Sequence, residues 1–261
     1  MESSAIGELQ HHTKSEIANH YSCQKIVKSW IHKPEYPSSY IIPTLHSELM
    51  KGVTEYSKKG LVPLLPGVYR NTDVSTSNEG KDDNFYVAGT DVRPVMQQYN
   101  ESLDARLKIE PLSPDEKLET TINNAAWSYY VFERIHPFLD GSGRVGRMIM
   151  KRVLKGSGYK DIIFQHNDIY SKGRNVHMDT LDSVDASGNL AHLEVYLLEE
   201  LLLRYSNEKT TTHSQQISSL IAKKRNQIAS QTEKKDLTEI WDGFDGLYLQ
   251  GVKPKEHTTT G

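Results

Sequence analysis

Cysteine is nearly missing from this 261-residue chain: Cys23 stands alone, which excludes an internal disulfide framework and a cysteine-ligated zinc site. A reducing, cytoplasmic setting is the expectation that follows. No apolar run approaches the roughly 20 residues needed to span a bilayer. The richest, Val195 to Leu203, is broken by Glu199 and Glu200. The N-terminus has no basic segment followed by an apolar one, so no secretory signal is read there, although a specialised secretion system needs none. Charge of one sign is missing too. With 31 basic and 34 acidic residues the net charge is −3, which argues against a dedicated nucleic-acid or membrane-surface binder. No internal repeat is visible. What remains is length enough for one large domain with appendages and an ample core.

The chemistry is concentrated in residues 136–147, His-Pro-Phe-Leu-Asp-Gly-Ser-Gly-Arg-Val-Gly-Arg. His136 has an ordinary pKa near ~6.5 and can accept a hydroxyl proton at neutral pH. Asp140 is a hard oxygen ligand suited to Mg²⁺, which usually arrives with substrate phosphates. Gly141, Ser142 and Gly143 make a loop without bulk, whose backbone N–H groups can turn inward as an anion cradle. Arg144 and Arg147 follow at the start of an apolar-periodic segment, Val145, Met148, Ile149, Val153, Leu154. A helix starting there would aim its positive end at the cradle and project both arginines from one side. Base, metal ligand, cradle and two guanidinium groups point to a phosphate-containing substrate attacked by a hydroxyl.

This run resembles the signature of the Fic family, HPFx[D/E]GNGRxxR, meeting every fixed position except the Asn, where Ser142 stands. A lone GxG or His-Pro-Phe would mean little, and a lone histidine beside an apolar face is more often a satisfied core residue. The joint register is specific. The resemblance implies an all-α, mainly helical Fic fold with a small β-hairpin flap, and transfer of AMP from ATP to a Ser, Thr or Tyr hydroxyl of a target protein. It implies that His136 is the base, Asp140 the Mg²⁺ ligand, Gly141, Ser142 and Gly143 the phosphate cradle, Arg144 and Arg147 the phosphate-binding arginines, and Phe138 the buried anchor. The family's kinase-like branch carries Lys at the position of Gly143, so AMP transfer is favoured over phosphate transfer. The family Asn contacts phosphate; serine keeps a hydroxyl and a backbone N–H, so weakened rather than abolished binding is expected.

Many members also carry an inhibitory helix, [S/T]xxxE[G/N], whose Glu pairs with the second motif arginine. Ser3-Ser4-Ala5-Ile6-Gly7-Glu8 resembles the N-terminal form of that text with its last two residues transposed, and Ser4 and Glu8 keep the spacing. Leu9 departs from the pattern. The bland alternative is a frayed helix start capped by Ser3 or Ser4. The literal match Ser75-xxx-Glu79-Gly80 lies in polar, turn-rich text and is read as chance.

In chain order, residues 33–43 with three prolines read as a connector, and a helix follows with Thr44 as its start. Leu64 to Arg70 is a turn into an extended segment, and Phe85-Tyr86-Val87 is a second one. The PG-x-YR text at 66–70 resembles the family's entry to the flap, which holds a target's backbone by strand pairing. Asp91 caps a helix to Leu103. Ser113-Pro114-Asp115-Glu116 opens another that runs to Ile135, with Leu118, Ile122, Ala125, Ala126, Tyr129 and Phe132 as its core stripe. Gly156-Ser157-Gly158 closes the helix after the motif. Arg174, His177 and Leu181 resemble the family's R-x-x-Y-Y-x-x-L helix beside the adenine, with both tyrosines replaced. A lone His177 is a poor metal ligand.

Leu190 to Tyr205 is an amphipathic helix, and a polar one spans about 214–231. Trp241 and Phe244 belong to a tail that either tucks onto the body or meets a partner. The expected organisation is an N-terminal extension at 1–39, a Fic domain at 40–205 and a C-terminal extension at 206–261. ATP and a target protein bound through the flap are the expected partners, without membrane or nucleic acid, and a homo-oligomer is open. The competing class is a degenerate Fic-fold module that docks a partner without nucleotide transfer.

Overall fold

The computed structural model describes residues 2–53, 65–76, 84–110, 113–162, 176–205, 211–235, 237–241 and 244, without the side chains of 2–14, 75, 76, 84, 85, 211 and 238. The architecture is helical, as expected: α1 (Glu2–His32), α2 (Ser38–Leu49), α3 (Val92–Arg106), α4 (Pro114–Ile135), α5 (Ser142–Gly156), α6 (Val176–Ser187), α7 (Ala191–Tyr205) and α8 (Thr211–Ala229). Two short strands, β1 (Ser75–Thr76) and β2 (Asn84–Phe85), pair antiparallel with Ser75 opposite Phe85.

The axis of the fold is α4. Its start is the one the local chemistry prescribes: Ser113 Oγ accepts from the Glu116 N–H at 3.2 Å, and Pro114 takes the first turn, where no N–H is needed. The expected stripe is buried, and so are Trp127, Tyr130 and Val131 between its members and Ile135 beyond it. A helix that is apolar on most sides must be wrapped, and α3, α5, α7 and α8 all pack against α4. Trp127 reaches the C-terminal segment, donating from Nε1 to the Ile240 carbonyl at 2.7 Å, and Trp241 beside it is buried. For these two residues the tail tucks onto the body; residues 245–261 lie outside the described residues. Helix α1 lies along α2 and α5, with Cys23, Val27 and Trp30 in the common core.

Two helix starts differ from the sequence reading. The second helix begins at Ser38, not Thr44, and Pro43 sits inside it. The cause is remote: Asp104 of α3 accepts from the Ser38 N–H at 3.1 Å and from its hydroxyl, placing a carboxylate at the positive end of α2. Asp91 precedes α3 but makes no side-chain cap bond, because a short 3₁₀ turn, Gly89–Asp91, leads into that helix instead. Close to expectation are the end of α5, where Gly158 turns the chain at φ +87°, and the bounds of α7 and α8.

Candidate active site

Helix α4 delivers His136 and stops there. The residue before a proline is pushed out of the helical region, and Pro137 follows. His136 adopts φ 48°, ψ 62°, the left-handed region, and is the one described non-glycine residue with positive φ. That conformation costs about 1 kcal/mol or more and is held by the surroundings. Its N–H still closes the helix on the Phe132 carbonyl at 2.9 Å. Arg70, itself buried, supplies the rest: Nε donates to the His136 carbonyl at 2.6 Å, one terminal nitrogen to the Ile135 and Val87 carbonyls, and the other to the Thr72 carbonyl. The Arg70 N–H also bonds the Pro137 carbonyl. The strand-bearing segment is thereby stapled to the end of α4, and Tyr86, just after β2, lies against the His136 ring with centroids 4.4 Å apart.

The His136 imidazole is largely enclosed. Burial, then the nearby Arg70 cation, holds its pKa down at about 4, so the ring is neutral at physiological pH. Its Nδ1 is sealed from solvent and turned toward Glu133, whose backbone helps to hold the ring and whose carboxylate Oε2 lies 4.0 Å away. A hydroxyl from outside can therefore approach only Nε2.

The loop after His136 is tied from several sides. Phe138 is buried and stacks on His46 of α2, centroids 3.7 Å apart and 5° from parallel. His46 is a neutral bridge: Nε2 meets the Asp140 carbonyl at 2.9 Å, and Nδ1 accepts from the Gly67 N–H at 2.8 Å. Burial lowers its pKa to about 4. Nothing in the sequence singled out this histidine, because both partners are backbone groups far along the chain.

Gly141 turns the chain at φ +79° into α5. Its N–H is taken by Asp140 Oδ1 at 2.6 Å, whereas those of Ser142, Gly143 and Arg144 begin a helix and have no acceptor within it. The Ser142 hydroxyl faces inward: it accepts from the Phe138 N–H at 3.0 Å and donates to the Phe138 carbonyl at 3.1 Å. Ser142 thus offers outward only its backbone.

The two arginines reach different neighbours instead of acting from one side. Arg144 bonds Asp140 Oδ2 at 2.8 Å and Glu16 of α1 at 2.9 Å. Arg147 turns toward α4, where it lies beside Glu133 and Tyr129. Glu16 carried no motif signal. Ser4 and Glu8 belong to α1, but their side chains lie outside the described residues, as do Glu79, Gly80 and Arg174. His177 is half-buried and meets Tyr129 OH at 2.5 Å. Its pKa is lowered to about 4, chiefly by burial.

Asp140 was expected to hold Mg²⁺. Among the described residues no group of three or more His, Cys, Asp or Glu could hold a metal ion. A lone carboxylate suits an ion that keeps water and takes its other ligands from substrate phosphates, as Mg²⁺ does. A separate cavity of about 460 Å³ opens between α1 and α5, beside His20, Lys25, Lys151 and Lys155, further along α5 than the loop. No helix of the described residues is long and apolar enough to cross a membrane.

Residues 36–154 match the model of the Fic/DOC family. A protein adenylyltransferase Fic from Nematostella vectensis is 31% identical over 137 residues, 51% of this chain and 29% of that protein. Its namesake from Drosophila erecta is 30% identical over 115 residues, 42% of this chain and 22% of that protein. The chain thus spans less than a third of these relatives' length. Among solved structures, a Fic-domain-containing signalling protein from Bacteroides thetaiotaomicron VPI-5482 shares the fold at TM-score 0.55 and 18% identity, covering 82% of this chain and 69% of that one. A Fic family protein from Desulfovibrio desulfuricans G20 aligns at TM-score 0.51 and 14% identity, covering 87% and 57%. The left-handed histidine and the helix start at the head of α5 thus lie within residues 36–154, the segment of the chain that matches the Fic/DOC family.

Proposed function

We propose that this protein transfers AMP from ATP to a hydroxyl of a target protein, with His136 as general base. The observation that carries the reading is a neutral imidazole with Nδ1 sealed and only Nε2 approachable, fixed at the mouth of a helix N-terminus. Nε2 takes the hydroxyl proton as the oxygen forms a bond to the α-phosphorus. The bond from that phosphorus to the bridging oxygen breaks, and pyrophosphate leaves. A ring with pKa about 4 is a weak base by itself. Phosphates arriving beside it raise its basicity, since a nearby anion favours the imidazolium.

The backbone N–H groups of Ser142 and Gly143 and the side chains of Arg144 and Arg147 would stabilise the charge that builds on phosphate. Asp140 would hold Mg²⁺, which supplies charge neutralisation on the phosphates. Its carboxylate now bonds Arg144, so the two would separate as phosphate arrives. The segment from Arg70 through β1 and β2 would present its edge to the target's backbone, in the manner of a flap.

Residues 40–205 would be the catalytic body, with 1–39 as a restraint and 206–261 as a buttress. In that arrangement α1 restrains the site: Glu8 is the residue the resemblance assigns, and Glu16 is the one found on a motif arginine. A cytoplasmic setting is consistent with the lone cysteine. The test uses ATP labelled at α or at γ with Mg²⁺, following label on protein in wild type, Glu8→Gly and His136→Ala. Label from α only, lost in His136→Ala, is expected. Label from γ would replace AMP transfer by phosphate transfer. No label together with no measurable binding of ATP·Mg²⁺ in any variant would leave a binding module.

A further inference from the structure

Glu133 is a largely enclosed carboxylate for which the reading so far has no use. It sits on α4 three residues before His136, one turn away on the same face. Its side chain is 12% exposed, Oε1 has no hydrogen-bond partner, and Oε2 lies 4.0 Å from His136 Nδ1, which is sealed from solvent beside the Glu133 backbone. An unpartnered carboxylate oxygen in an enclosed space is costly unless something is gained from it.

The wall opposite is built to admit the carboxylate. A Cβ on Gly146 would fall 2.7 Å from Glu133 Oε1, and one on Gly143 would fall 3.6 Å from the same atom and 3.4 Å from an Arg147 nitrogen. Gly143 of the signature and Gly146, at a position the signature leaves open, therefore both pack on this group. The groups facing Glu133 are Tyr99 from α3, Tyr129, Arg134 and His136 from its own helix, and Arg147 from α5.

We propose that Glu133 is the positioning residue of the general base: its carboxylate keeps the Nδ1 proton of His136 inward, leaves Nε2 as the acceptor, and stabilises the imidazolium formed when Nε2 takes the target's proton. This rests on the AMP-transfer reading for its catalytic half only. The logic is that of a base oriented by a third group, and 4.0 Å shortens as the ring gains charge. In this role Glu133 acts through His136.

Burial raises the pKa of Glu133 to about 7, against the pull of Arg147 and Arg134. The carboxyl is thus neutral in acid and ionised above neutrality, while His136 is neutral throughout that range. The rise of AMP transfer with pH then follows Glu133 and not the base. Between pH 6 and pH 8, kcat/KM should climb about tenfold in wild type.

The experiment uses the full chain, with wild type and Glu133→Gln, which matches the shape of the neutral acid. In ring-¹⁵N-labelled protein at pH 8, with His136 assigned by its loss in His136→Ala, nitrogen shifts report the tautomer without any substrate. Wild type should hold the Nδ1–H form about tenfold over the other, and Glu133→Gln should move toward the mixture of free imidazole. In the labelled-ATP assay Glu133→Gln should be slower and flat from pH 6 to 8, whereas a merely structural role would lower the plateau and keep the midpoint.

A wild-type limb near pH 4 overturns the proposal without any variant. An unchanged tautomer with an unchanged midpoint in Glu133→Gln overturns it as well. Should Glu133→Gln fold poorly, Gly146→Ala displaces the same carboxylate from α5 and must shift the midpoint. A tautomer that moves in a protein without AMP transfer would uphold the positioning role and sink the activity reading instead.

Discussion

Arg70 Nε donates to the carbonyl oxygen of His136 at 2.6 Å, and the same guanidinium binds three further carbonyls. The left-handed turn at His136 is therefore fastened by a side chain from the strand-bearing segment. Lysine cannot reach four acceptors with one ammonium, and each carbonyl left dry costs free energy. Arg70→Lys is expected to lower unfolding stability by about 2–4 kcal/mol. It should also slow label transfer in the residual folded protein. Urea melts read beside the labelled-ATP assay check both; a melt shifted by less than about 0.5 kcal/mol would contradict the staple.

Glu16 and Arg144 form an ion pair on a partly exposed surface, 38% and 28% accessible. Such a pair contributes at most about 1 kcal/mol. Glu16→Ala should therefore leave stability within about 0.5 kcal/mol while freeing the arginine for phosphate. Affinity for ATP·Mg²⁺ should rise up to about fivefold, the equivalent of the pair's energy. Calorimetric titration beside Glu8→Gly separates the two: if only Glu8→Gly tightens binding, Glu16 is a bystander.

Ser142 uses its hydroxyl to satisfy both backbone groups of buried Phe138. Ser142→Ala leaves those groups unpaired and should cost about 1–3 kcal/mol. Because the hydroxyl already faces inward, ATP affinity should fall less than twofold. A tenfold loss of affinity in a stably folded variant would show that the hydroxyl does reach phosphate.

Three histidines, the buried His46 and the half-buried His136 and His177, are held at about 4 in the folded protein. Unfolded, each returns to about 6.5. Between those values the unfolded chain binds the extra protons, so their contribution is complete above about pH 6.5 and is lost as pH falls toward 4. Glu133 works oppositely: its folded pKa is raised to about 7, so its contribution is present below its unfolded value and lost as pH rises through 7. Stability should thus fall from pH 6.5 to 4.5, with a net uptake from these four groups of about two protons on unfolding. Urea melts at half-unit steps of pH measure the slope; a flat line would mean that the histidines are not buried neutral.

Much of the site was legible because its rules are short-ranged. The start of α4 at Ser113-Pro114, its end at His136-Pro137 and the cradle before α5 each depend on residues within four positions of one another. The buried stripe of α4 followed from period alone, although Trp127 and Val131 did not, since only the surrounding helices decide that its other sides are dry as well. The start of α2 was misread for the same reason: Asp104, which draws the helix back to Ser38, is 66 positions away.

The sequence by itself determined the loop at 136–147, the helices that carry it and the family that this segment resembles. Those features answer to backbone sterics, capping and periodicity, which act locally and leave a mark in neighbouring residues. Only the tertiary structure decided which charge meets which. Arg70 and His136 are 66 positions apart, His46 and Asp140 are 94, and Glu16 and Arg144 are 128. Contacts at that separation have no local signature, because a carbonyl acceptor has no letter of its own and a surface glutamate looks the same wherever it points. Burial then set the protonation: a histidine reads as a base near neutrality until packing removes its water, and a glutamate reads as an anion until packing makes it an acid.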